Sequence, residues 1–272
     1  MLTRLLKYEF KDTARIIPFF YLITLIFAGM VLSAKTLNIE WFQVTTSVLL
    51  LILGIAVSII TFVIIVIRFY KNLFSNEGYL MFTLPVKPYM LLASKTIVSL
   101  FWMILSYGVS IGALYTSMYG LGTMGELSLI FEELSKFGLD KAIYLIIPVG
   151  LLGTLYLLSQ IFFAITISNR SKFHNLGVAG AFLIYIVTNI VLQIVEAIFT
   201  IFVPLSVEIN FVDKISTSIS SKNMFGYLLE TIKGVEPTSV IIGIGGYIFE
   251  IVTICVLFYI TTVNMKDKLS LK

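Results

Sequence analysis

Charge, cysteine and histidine are scarce in this chain, and each shortage closes off a class of function. Asp, Glu, Lys and Arg supply 12% of the 272 residues, about half the share found in a soluble domain. One cysteine, Cys255, leaves no disulfide within the chain and no thiolate metal cluster. One histidine, His174, reads as a loop residue, and it excludes the histidine ligand sets of a membrane-embedded metalloprotease despite the acidic pair Glu132-Glu133. No Gly-x-x-x-x-Gly-Lys-Ser/Thr segment occurs, so the chain has no phosphate loop and is not itself a P-loop ATPase. No internal repeat and no low-complexity tract is found.

What the chain has is long apolar runs. Hydrophobic residues make up 58% of it, and the mean hydropathy is +1.01. A bilayer core of about 30 Å needs roughly 20 apolar residues in helical form. Six runs reach that length, at 16–34, 44–67, 96–119, 142–167, 175–205 and 238–263. They are apolar on all sides, whereas strands of a membrane barrel alternate apolar and polar residues. A helix also satisfies its own backbone groups in lipid. The fold expected is therefore all-α, a polytopic bundle of six transmembrane helices. The first run has no short apolar core followed by a small-residue cleavage site, so it reads as a span rather than a removable signal.

Charge orients the spans. Thirteen Lys and Arg fall at the N-terminus, in the loops after spans two and four, and in the tail 264–272; six fall on the opposite side. Basic residues favour the cytoplasmic face, so both termini are expected there. The formal charge of +4 then reflects topology rather than a nucleic-acid footprint, which would cluster on one folded face.

Outside the spans, residues 1–15 read as an amphipathic helix, with Leu2, Leu5, Leu6 and Phe10 on one side. Such a helix can lie in the membrane interface or simply extend the first span. The stretch 204–237 mixes apolar and polar pieces too short to span, and it reads as re-entrant or interfacial structure or as an ordinary loop. Gly108 and Gly112 form Gly-x-x-x-Gly in the third span, a spacing that lets helices approach closely. Gly243, Gly245 and Gly246 can act likewise. Packing within the subunit is the simpler reading and a dimer contact the alternative.

Two acidic residues stand inside apolar runs. Glu250 lies near the middle of the last run. A charge at that depth costs about 2.5–3.5 kcal/mol on the insertion scale and usually faces a partner or a cavity. It reads either as a substrate-path or gating residue or as a hydrogen-bonding partner of Thr, Tyr or Gln on a neighbouring helix. Glu196 sits nearer the outer end of the fifth run, as a boundary residue or part of the same path.

The loop between spans two and three is the most informative segment. It runs RFYKNLFSNEGYLMFTLPVKPYMLLASK over 68–95, far longer than the roughly 2–8 residues a helix–helix connection needs. It is cytoplasmic by charge yet rich in Phe69, Tyr70, Leu73, Phe74, Tyr79, Leu80, Phe82 and Leu84. A helix is expected in it, broken near Thr83-Leu84-Pro85 because the residue before proline avoids helical angles. Pro88 then opens the next helix. An apolar helix at this place either docks into a partner's groove or lies on the membrane surface.

Glu77-Gly78-Tyr79-Leu80, Thr83-Leu84-Pro85-Val86 and Leu91-Leu92-x-Ser94-Lys95 are similar to the cytoplasmic loop of ABC transporter permeases of the type-2 exporter class. The opening Leu5-Leu6-Lys7-Tyr8-Glu9-Phe10-Lys11 resembles theirs too. The resemblance in order and topology spans nearly the whole chain, while its specific motifs cover about 30 residues. It implies a six-helix subunit in the plasma membrane that pairs as a homo- or heterodimer and binds two cytoplasmic ATPase subunits. ATP and Mg would bind those subunits, and no cofactor would bind this chain. The coupling helix would be carried by Glu77, Gly78, Tyr79, Leu80, Phe82, Thr83, Leu84, Pro85 and Val86. Exported substrates in the family include antimicrobial peptides, and the apolar interior suits a lipid, hydrophobic peptide or drug. The competing readings are a secondary transporter or channel working without an ATPase, and a non-transporting assembly or sensor subunit.

Overall fold

The computed structural model describes residues 1–74, 86–136, 143–170, 177–210, 216–232 and 239–267. It is mostly helical, and the described residues fall into two compact units divided between 130 and 131. Six of its helices are long and apolar enough to cross a membrane.

The first unit holds α1 (Leu2–Thr13), α2 (Ile17–Thr36), α3 (Glu40–Phe74) and α4 (Pro88–Leu121). Helix α5 (Met124–Lys136) runs across the boundary between the units. Pro18 enters α2 in its first turn, where a missing N–H costs nothing. Asn38 turns the chain between α2 and α3 at φ 53°, a left-handed conformation that asparagine tolerates. Helix α4 opens at Pro88, as the sequence predicts, after Lys87 in extended conformation. It stops at Gly122, whose φ of 78° is the usual glycine exit from a helix.

Helices α2, α3 and α4 pack through small and hydroxylated side chains. One face of α4 presents Trp102, Ser106, Ser110, Ala113, Ser117 and Gly120. Ser106 Oγ shares a hydrogen bond with Tyr21 of α2 at 2.7 Å and donates to Thr61 of α3 at 2.8 Å. Ser110 Oγ donates to the Gly54 carbonyl at 2.6 Å, and Ser117 Oγ to the Ser47 carbonyl at 2.7 Å. Between helices in lipid such bonds average about 0.6 kcal/mol each. They act here as a register as much as a source of stability. A Cβ on Gly54 would sit 2.9 Å from that of Ala113, so glycine sets the α3–α4 distance.

This corrects the expectation for Gly108 and Gly112. Both are exposed, and a Cβ on either would meet nothing within 4 Å. They lie off the Ser106–Gly120 face, so close packing inside the unit falls to Gly54 and Gly120 instead.

The second unit holds α6 (Ile143–Ser168), α7 (Gly177–Phe202), α8 (Met224–Ile232) and α9 (Gly245–Asp267). It also contains strands β1 (Ser206–Asn210), β2 (Ser216–Ser220) and β3 (Ser239–Gly243). They form an antiparallel sheet ordered β2-β1-β3, with Ser206 opposite both Ser220 and Gly243. The expected bundle of membrane-length helices is present and this small sheet is added to it, while the sixth apolar helix starts at Gly245 rather than at 238. Ser, Val and Ile alternate in these segments, which suits a pleated strand. The described part of 204–237 is thus two strands and the nine-residue α8. Ser206 is buried and donates to the Lys222 carbonyl at 2.8 Å, closing the hairpin. Gly243, Gly245 and Gly246 pack on the end of α7, where a Cβ would run into Thr200 or the Phe199 carbonyl.

Candidate functional site

Of the positions expected to engage an ATPase, Glu77, Gly78, Tyr79, Leu80, Phe82, Thr83, Leu84 and Pro85 lie outside the described residues. Val86 is half-buried in the stretch leading to α4. His174 also lies outside them. The stems that flank the loop are described in full, and α1 binds both. Lys95 Nζ at the start of α4 donates to Glu9 Oε1 at 2.6 Å, with the two side chains 4% and 10% exposed. Arg68, near the end of α3, pairs with Asp12 at 2.9 Å. Trp102 Nε1 donates to Thr13 Oγ1 at 2.7 Å. The Phe10 ring meets Phe101 edge-on, with centroids 5.0 Å apart.

Helix α1 therefore turns Glu9, Phe10 and Thr13 toward α4, where the sequence pattern alone would give that side to lipid. At a rise of about 1.5 Å per residue, the stretches 68–74 and 88–95 carry α3 and α4 some 10 Å beyond their apolar runs. The pair leads toward the 75–85 connection, and α1 holds its stems.

A second constellation lies within residues 131–270. Helices α6, α7 and α9 line an open cleft of about 690 Å³, with Met224 of α8 also lining it. Glu196 and Glu250, separate candidates in the sequence, both line it. Their carboxyl groups are within hydrogen-bonding reach of one another. Both residues are half-buried. The Glu196 side chain lies against Gly246, with its Cγ 3.6 Å from where a Cβ would be. That is ordinary contact, and a Cβ there would run instead into the Thr200 hydroxyl.

The rest of the lining is polar on two helices. Gln160 of α6 is buried, and its Oε1 accepts from Asn189 Nδ2 of α7 at 3.0 Å. Tyr156, one turn before Gln160, is 8% exposed. Its hydroxyl has no hydrogen-bond partner of normal geometry, although the Glu196 carboxyl is its neighbour. No Lys, Arg or His is among the described residues lining the cleft. Among the described residues, no group of three or more His, Cys, Asp or Glu side chains could hold a metal ion.

No protein-family model, curated protein or solved structure matches the chain.

Sequence reasoning found Glu196 and Glu250 but missed their company. The signal was the spacing of Asn189, Gln193, Glu196 and Thr200, at i, i+4, i+7 and i+11, which places four polar residues on one face of α7. An apolar helix with a polar seam has a buried or wet side, and the seam would have pointed to the cleft. The Glu9–Lys95 pair had no comparable signal, because its members are 86 positions apart.

Proposed function

We propose that this chain is the transmembrane permease subunit of an ATP-driven ABC exporter. It would move a hydrophobic or amphipathic substrate across the plasma membrane with a separate ATPase. The observation that carries this reading is the clamp of α1 across the stems of α3 and α4. A connection that only joined two spans would not need stems prolonged beyond the apolar run and tied by a buried ion pair to a third helix. Force applied at the 75–85 connection would pass into α3 and α4 together, because Glu9–Lys95 and Asp12–Arg68 make the three helices move as one.

In this reading the termini are cytoplasmic, and α1 rests in the interface with its Leu2, Leu5 and Leu6 side shared with the stems it binds. Residues Glu77 to Val86 fit a groove on each of two ATPase subunits, and a second permease subunit completes the complex. Nucleotide and Mg bind the ATPase, and Glu196 and Glu250 line the substrate path. The missing phosphate loop supports this division of labour.

The test is co-purification of this chain with an ABC ATPase from its native membrane. Glu77→Ala combined with Leu84→Asp should abolish the complex while the variant still inserts and purifies normally. An intact complex would overturn the docking role. A secondary transporter is the one competitor with an observation in its favour, since an acidic cleft without a counter-ion suits ion-coupled transport. Substrate movement by this chain in vesicles free of any ATPase would decide for it.

A further inference from the structure

We infer that the cleft between α6, α7 and α9 binds an organic cation, an ammonium or guanidinium group carried on an apolar body. Two carboxyl groups within hydrogen-bonding reach can share one proton, which leaves one negative charge where the flanking helices are apolar. No basic residue among those described lining the cleft balances that charge, and a cationic ligand would.

Three further features indicate a ligand. The Tyr156 hydroxyl is buried beside the Glu196 carboxyl without a bond of normal geometry, and its oxygen can accept from an N–H group. Asn189 and Gln160 are oriented by their mutual bond, which leaves the remaining amide groups in fixed directions. The volume, about 690 Å³, is that of a small-molecule pocket and far exceeds a single inorganic ion.

The walls also sort the ligand. Leu157, Ala197 and Ile201 line the same cleft. They would take an alkyl or aromatic body while the carboxyl groups take the charge. An anion would meet repulsion, and a neutral body would leave the charge of the carboxyl pair unbalanced. Glu196 and Glu250 lie within about two turns of the ends of α7 and α9 that adjoin the sheet, so the head group would sit near that end of the spans.

This assignment rests on the exporter reading only for what happens to the cation afterwards, since binding needs this chain alone. The purified chain in lipid nanodiscs is titrated calorimetrically with octylammonium and, separately, with octanoate, and empty nanodiscs give the background. Octylammonium should bind saturably and octanoate should not. Glu250→Gln should weaken octylammonium by about tenfold or more, the scale of a charge-assisted contact. Tyr156→Phe should weaken it by about fivefold.

Glu250→Asp keeps the charge and should retain most of the binding, which separates a lost charge from a lost fold. Equal binding of octanoate would overturn the assignment, as would octylammonium binding unchanged in the Glu196→Gln, Glu250→Gln double variant. Failure here with an intact ATPase complex removes the substrate class and leaves the exporter. Saturable cation binding without any ATPase association leaves the site and removes the exporter.

Discussion

The two units both take acidic side chains out of water, and they treat them in opposite ways. In residues 1–130, Glu9 is 8% exposed and closes on Lys95 at 2.6 Å, with Trp102 and Thr13 bonded to each other alongside. In residues 131–270, Glu196 and Glu250 face each other across a cleft with no basic residue among the described lining. The first acid is part of the framework, since its charge is cancelled and its geometry determined by the fold. The second pair meets only another acid, and no basic residue among the described lining balances it.

The contrast is broken most sharply by removing one charge at a time. Lys95→Ala leaves Glu9 buried and uncompensated, and losing one partner of such a pair costs about 3–5 kcal/mol. The expected result is a large fall in thermal stability of the purified chain, with much of it recovered in Glu9→Leu, Lys95→Met. If Lys95→Ala unfolds at the wild-type temperature, the clamp does not hold the unit together.

A smaller effect separates the glycines. Gly54→Val should destabilise by about 1–3 kcal/mol through overpacking against Ala113. Gly112→Ala faces open space and should leave thermal stability within about 0.5 kcal/mol of wild type. Equal losses at the two sites would mean that α4 packs through a different face.

The smallest effect is the most telling. Glu250→Gln should leave thermal stability unchanged or raise it slightly. The amide can keep a hydrogen bond to Glu196 while removing one of two adjacent acidic groups. A drop as large as that of Lys95→Ala would make Glu250 a framework residue like Glu9, and the comparison between the units would collapse.

The gross fold was legible because lipid imposes a length. A run such as 44–67 is long enough to cross and too apolar to do anything else. The ends were less legible. The start of α4 at Pro88, ahead of Lys95, was readable from the proline, but Arg68 looked like the limit of its span and α3 continues past it to Phe74, with Asp12 of α1 paired to Arg68. The sheet was hidden because its strands are five residues each, too short to establish a period of two against the apolar background. Gly108 and Gly112 had the right spacing and the wrong face, since spacing places residues on one side of a helix without saying which side meets a neighbour.

What the sequence by itself determined is a chain with six membrane-length helices and a long apolar connection between the second and third. The physical reason is that hydrophobic length against bilayer thickness is a property of each segment alone. What only the tertiary structure decided is which polar groups are paired and which are left open. Glu9 meets Lys95, and Glu196 meets Glu250, through helices far apart in the chain. The partner of a buried charge is set by how those helices pack, which no single segment encodes.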